Sequence, residues 1–378
     1  MSLRVGVSKQ EITPERPAWL AGYGSRNKPS EGVHDPLFLT AIVFDDENTR
    51  IAMVSTDLCF APLSAKDNIA PKVHAESLIP PDHLIISATH THSGPVTSGN
   101  NADNEWLESF GNKIVTAINE AVANMLPVNI SVGLGTSGVG VNRRERMSDG
   151  RTVLGHNEDG FVDRQVGVTR IYTESGLNVA TLINYGCHGT VLGGSNYLIS
   201  ADYMGSAVRR AQDIVGGIVT FFNGAPGNVD PFYRVGTNFD HVEELGEKLA
   251  VEVQRVLNEK MVEVKSTPIY VISTEVALPL KTPKDDGNTM SVISTSIVRI
   301  GDLQFIMFPG EMFAQTGLVL KARSSAKCSF VISYFCGKSA GYLPVRSAYQ
   351  DGGYEVDTTR HSLDAEELYV NIVSRLIS

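Results

Sequence analysis

Strand-like and helix-like segments interleave along this chain without strict alternation, and that pattern restricts the fold more than any other feature of the sequence. Apolar runs rich in β-branched and aromatic residues fall at residues 40–45, 50–56, 83–88, 129–133, 168–173, 179–184, 217–222, 269–277, 291–300, 303–308 and 330–335. Turn-forming residues 46–49, 174–176 and 301–302 separate neighbouring runs by hairpin-length connections, which predicts antiparallel pairs. Helical spacing marks 105–126, where Trp106, Phe110, Ile114, Ala117, Ile118, Ala121, Val122 and Met125 share one face and Pro127 ends the pattern. The same period recurs at 202–215, 242–257, 312–324 and 364–377. A mixed-sheet α/β fold with helices on its outer faces is predicted. With 378 residues and no internal repeat or low-complexity tract, the chain reads as one domain over residues 1–378 with room for two lobes, and 281–288 as the main loop or hinge.

A formal net charge of −10 disfavours nucleic acid, which needs a positive stripe to release counterions, and favours a small neutral or cationic substrate. No basic amphipathic segment or bilayer-length apolar run is present, so membrane insertion is not expected. The first residues run directly into a β-type segment without a secretory leader, which gives a cytoplasmic expectation. Cys59, Cys187, Cys328 and Cys336 have no CxxC spacing and read as reduced, buried thiols. Nothing in the sequence sets an oligomeric state.

Candidate chemistry collects where apolar runs break into Gly/Pro-rich turns. The run before Thr89-His90-Thr91-His92-Ser93-Gly94-Pro95 ends in two histidines at i, i+2, which strand geometry would point the same way. Neutral imidazoles at this spacing suit a metal site, with one as ligand and the other as its outer partner; hydrogen-bonded structural histidines are the plainer alternative. Cys187-His188-Gly189 follows a second run, Asn223-Gly224-Ala225-Pro226-Gly227-Asn228-Val229-Asp230-Pro231 a third, and Pro309-Gly310-Glu311 a fourth, with Glu311 expected to open a helix. Two histidines and a glutamate form a recurring ligand set for catalytic zinc that leaves room for water.

These motifs resemble the N-terminal catalytic domain of the neutral (non-lysosomal) ceramidase family. The resemblance starts at Val5-Gly6-Val7-Ser8, Glu11-Ile12-Thr13-Pro14 and Leu20-Ala21-Gly22-Tyr23. It continues through Gly32–Leu37, the characteristic Thr89–Pro95, Asn142-Arg143, His188, Leu198–Tyr203, Gly227–Pro231 and Pro309-Gly310-Glu311, and ends at Ser339–Pro344 and Gly353-Tyr354-Glu355. It implies one Zn²⁺ per chain held by His90, His188, Glu311 and the phenol oxygen of Tyr342, with His92 beside the metal. Arg143 and Tyr354 match positions that contact the carbonyl or carboxylate end of the substrate. The chain departs from the family at Asn228 and Asp230, which stand where ceramidases carry Asp and Ser, and a short form without the family's C-terminal sandwich domain is expected.

The resulting expectation is a zinc-dependent amidase, acting on a small N-acyl or related amide rather than ceramide, through metal-activated water attack on a carbonyl. His92, Asp230, Tyr354 and Arg143 are its catalytic candidates; Arg143, Tyr354 and Asn228 are its substrate contacts. An esterase or lactonase using the same site is the enzymatic alternative, and a metal-binding pseudoenzyme the non-enzymatic one.

Overall fold

A computed structural model describes residues 2–378, with Met1 outside them. Three mixed sheets share one plan, in which a single parallel pair joins otherwise antiparallel strands. The first sheet runs Leu84–Ala88, Arg50–Thr56, Phe38–Asp45, Arg4–Glu11 and Leu126–Pro127, with the first two parallel. The second runs Ile218–Asn223, Asn178–Tyr185, Gln165–Tyr172, Asn129–Thr136 and Val262–Val264, again with the first two parallel. The third runs Ile269–Pro279, Met290–Ile300, Leu303–Met307 and Cys328–Ile332, with its last two parallel. The expected hairpins at 46–49, 174–176 and 301–302 all form.

Side-chain alternation builds the layers. In Phe38–Asp45, Leu39, Ala41 and Val43 face one side while Ile42 and Phe44 face the other. The first group meets helices Leu63–Ser77 and Asn104–Ala123. The second joins Leu182 and Phe222 of the second sheet and Phe305 and Phe330 of the third in one central core. The outer face of the second sheet is covered by helices Asp202–Val215 and Phe239–Glu259. Helix Ala365–Ile377 and the buried Leu320 of helix Ala314–Arg323 cover the third.

Helix starts follow capping chemistry: Asp103 accepts from Trp106 N at 3.1 Å and Asn238 from Asp240 N at 3.0 Å. Helix Leu63–Ser77 escapes the sequence reading because it contains Pro71 and begins without a side-chain cap. The expected helix 312–324 begins later, at Ala314, because Gly310–Met312 pairs as a strand with Gly341–Leu343. All four cysteines are free, as expected, but Cys328 is only half-buried because it is the first residue of its strand. Among the described residues no helix is long and apolar enough to cross a membrane.

Candidate metal and catalytic site

The carboxyl ends of the three parallel pairs converge. Inter-sheet hydrogen bonds fix this junction: Cys336 N donates to Ile86 O at 2.7 Å, and Ser333 N to Asn223 O at 2.9 Å. The Asn223 amide donates to Thr89 O at 2.8 Å and Cys187 O at 2.9 Å, pinning the two histidine-bearing turns together. Since these groups are buried, leaving them unpaired would cost about 1–3 kcal/mol each.

His90 and His92 do converge, but strand alternation is not the reason. The strand ends at Ala88, and His90 takes a left-handed φ of 72°, a sparsely populated conformation for a non-glycine residue. Its imidazole Nε2 then lies 3.0 Å from Nε2 of His92. Gly22, at φ 90°, makes room for the second ring: a Cβ there would stand 2.4 Å from His92 Cγ.

His90 Nδ1 donates to Cys59 O at 2.7 Å, and His188 Nδ1 donates to Pro226 O and Val229 O at 2.9 and 3.0 Å. Both Nε2 atoms are therefore left with a lone pair. His188 Nε2 meets Glu311 Oε2 at 2.8 Å, His90 Nε2 lies 4.0 Å from the same oxygen, and all three atoms fall within 4.8 Å of one another. Lone pairs this close repel unless a cation lies among them, so the donor set fits a divalent metal. Burial, His92 and His188 hold His90 well below the usual imidazole range, and burial with His188 takes His92 down to about 3, so both stay neutral. Burial pushes Glu311 up, but its neighbours His188, His90 and Arg143 outweigh it and hold the carboxylate at about 2.

Glu311 does not open a helix. It pairs in parallel register with Tyr342, which sets the two side chains next to each other. Burial and Glu311 raise the Tyr342 phenol well above its ordinary value, so its ionisation requires a cation. Arg143, only 4% exposed, ties the walls together. Its Nη2 donates to Tyr342 Oη at 3.0 Å, Nε to Glu355 at 2.7 Å, and Nη1 to Asp230 at 3.2 Å while lying 3.0 Å from His188 Nε2. Tyr354 packs edge-on to Tyr342, ring centroids 5.7 Å apart, and is 45% exposed.

The Asp230 carboxylate already serves two guanidiniums, with Arg234 Nε donating at 2.8 Å. Burial opposes its ionisation, but Arg143, His188 and Arg234 hold it below the usual carboxylate range. Asn228, expected at the substrate, is fully buried and spends its amide elsewhere: Oδ1 accepts from Ala314 N at 2.9 Å and Nδ2 donates to Gln315 at 3.1 Å, at the start of a helix. The sequence reading missed Tyr334, which lies flat against His90, and Glu355 with Arg144, which fix Arg143. It also missed Asn223 and Arg234; for these the available signal was their position at the end of a strand and four residues after Asp230.

Fold and site thus define an α/β protein with a buried His-His-Glu cluster at the convergent ends of parallel strands. The sequence profile of the neutral/alkaline non-lysosomal ceramidase N-terminal region matches residues 3–220, and the chain belongs to that family. Neutral ceramidase from Pseudomonas aeruginosa is 25% identical over 270 residues, 64% of this chain and 40% of that protein. Neutral ceramidase A from Dictyostelium discoideum is 28% identical over 222 residues, 54% of this chain and 31% of that protein. The matched regions therefore span well under half of either relative. The crystal structure of the P. aeruginosa neutral ceramidase superposes with a TM-score of 0.84 at 19% identity, covering 99% of this chain and 74% of that one, which shows a shared fold.

Proposed function

We propose that the chain is a divalent-metal-dependent amidase of small, polar N-acyl compounds, working as one domain, with zinc as the preferred ion. The observation that carries this reading is the mutual approach of His90 Nε2, His188 Nε2 and Glu311 Oε2, with both Nδ1 atoms already committed to carbonyls. These three residues, with Tyr342, would hold the ion, which when bound supplies Lewis acidity and an acidified water. Neutral His92 accepts a proton during attack and returns one to the leaving nitrogen. Arg143, held by Glu355 and Asp230, faces charge developing on the carbonyl oxygen, and the exposed Tyr354 assists at the mouth. Asp230 acts through Arg143 and Arg234 as a positioning residue, because its two oxygens are already taken up by their guanidiniums.

The test is metal analysis of the purified protein with a turnover screen over short N-acyl amides, esters and lactones. The expected result is about one equivalent of metal, amide hydrolysis abolished by chelation, and its recovery on adding Zn²⁺. Turnover of esters or lactones alone would replace amidase by esterase or lactonase. Bound metal with no turnover would leave a binding protein.

A further inference from the structure

The net charge of the whole chain points away from anionic ligands, but the charge inside the site does not. Arg143, Arg144 and Arg234 are interleaved with Asp230 and Glu355 through short contacts, and Glu311 joins them through His188, so the six side chains are formally neutral together. Any divalent ion among them makes the cluster positive, and within a buried site local charge outweighs distant surface charge.

Arg234 is the member of this set whose terminal nitrogens are not used up. Nε is bound by Asp230, Nη1 reaches only Leu154 O at 3.4 Å, and Nη2 has no acceptor among the described residues. Its side chain is 22% exposed, whereas that of Arg143 is 5% exposed. The loop carrying it is rigid: Val235 N donates to Thr190 O at 2.8 Å and Gly236 N to Val191 O at 2.9 Å, directly after His188. Val235 is held at φ 57°, a strained conformation for a β-branched residue that these bonds enforce. Asp230, which accepts from Arg234 and from Arg143, also lies 3.8 Å from His188 Nδ1, and this chain of contacts joins Arg234 to the histidine cluster.

We propose that Arg234, oriented by Asp230, binds a carboxylate on the substrate, so that the preferred substrates are N-acyl compounds bearing an acid close to the scissile amide, such as N-acylated amino acids. This rests on the amidase reading for the word substrate, but not for the binding itself. Arginine suits the task because its planar fork donates two parallel hydrogen bonds to a carboxylate. Arg143, enclosed by its partners, cannot supply that fork to a second group.

Calorimetric binding of N-hexanoylglycine and N-hexanoylethanolamine tests the proposal on the zinc-loaded protein, independently of turnover. Wild type is expected to bind the glycine conjugate about tenfold or more tightly, the size of a charge-assisted hydrogen bond. Arg234→Gln should bring the two affinities together, and Arg234→Lys, which keeps a cation for Asp230, should retain part of the difference. A wild type without preference overturns the proposal, as does an unchanged preference in a folded Gln variant. Should the Gln variant fail to fold, an undiminished preference in Arg234→Lys overturns it. A protein that binds the glycine conjugate through Arg234 but hydrolyses neither compound sinks the amidase reading and leaves this one standing.

Discussion

Tyr334 lies flat on the imidazole of His90, with ring centroids 3.8 Å apart and planes within 10°, and both residues occupy the left-handed region of backbone space. Two strained residues from different sheets thus brace each other. The stack fixes the plane of His90 as the Cys59 carbonyl fixes its tautomer. Outer partners of this kind typically contribute about 10–100-fold to metal affinity. Tyr334→Ala is therefore expected to weaken zinc binding by about tenfold or more, and Tyr334→Phe to preserve it, as measured by competition with a chromophoric chelator. Equal affinities in both variants would remove Tyr334 from the site's support.

Glu355 bridges Arg143 and Arg144 at 2.7 and 2.6 Å and is almost wholly buried. Removing one member of such a cluster strands the other charges, at a cost of about 3–5 kcal/mol. Glu355→Ala should show that loss in denaturant unfolding. The Glu355→Ala/Arg143→Met double variant should be more stable than the sum of the single effects predicts, because its charges leave together. Strict additivity would mean that the contact carries no coupling.

Gly22 and Gly24 provide a matched comparison. A methyl group at Gly22 meets both a left-handed backbone and the ring of His92, whereas at Gly24 nothing lies within 4 Å. Gly22→Ala is expected to lose about 1–2 kcal/mol from backbone strain alone, with a further penalty for moving His92, and Gly24→Ala to be near neutral. Chemical denaturation of the two variants decides it, and equal stabilities would count against the close approach.

The histidine and glutamate turns were legible because their chemistry is local: an apolar run, a break, and a ligand-type side chain. What the sequence hid is the pairing between distant segments. Glu311 looked like a helix start because nothing near it announces its parallel partner Gly341–Leu343. Asn228 looked like a substrate contact because its helix, Ala314–Arg323, begins 86 residues later. Arg234 carried no motif at all. The three-sheet plan was equally silent, since the hairpins are written in adjacent residues but each parallel pair needs a crossover.

Asp202 is fully buried, and burial raises its carboxyl to about 7 despite hydrogen bonds from Tyr203 N and Leu192 N. A folded-state value above the unfolded one means that the folded protein binds the proton more tightly. The stabilisation is complete below about pH 4 and is lost as pH rises through about 7, each pH step between these two values removing about 1.4 kcal/mol. Melting temperatures of wild type should fall relative to Asp202→Asn between pH 4.5 and 8. A difference that stays constant across this range would show that Asp202 does not titrate there.

Each side of the site is the terminal turn of a layer with its own helices. His90 and His92 follow a strand of the first, His188 one of the second and Tyr334 one of the third, while Asp230 and the Glu311–Tyr342 pair lie on short sheets beside them. A replacement in one turn leaves the helix packing of the other layers untouched unless it removes a crossing contact, such as that of Asn228 with Ala314 N. The charged set Arg143, Asp230 and Arg234 is therefore linked within itself and stands on different segments from His90 and Glu311.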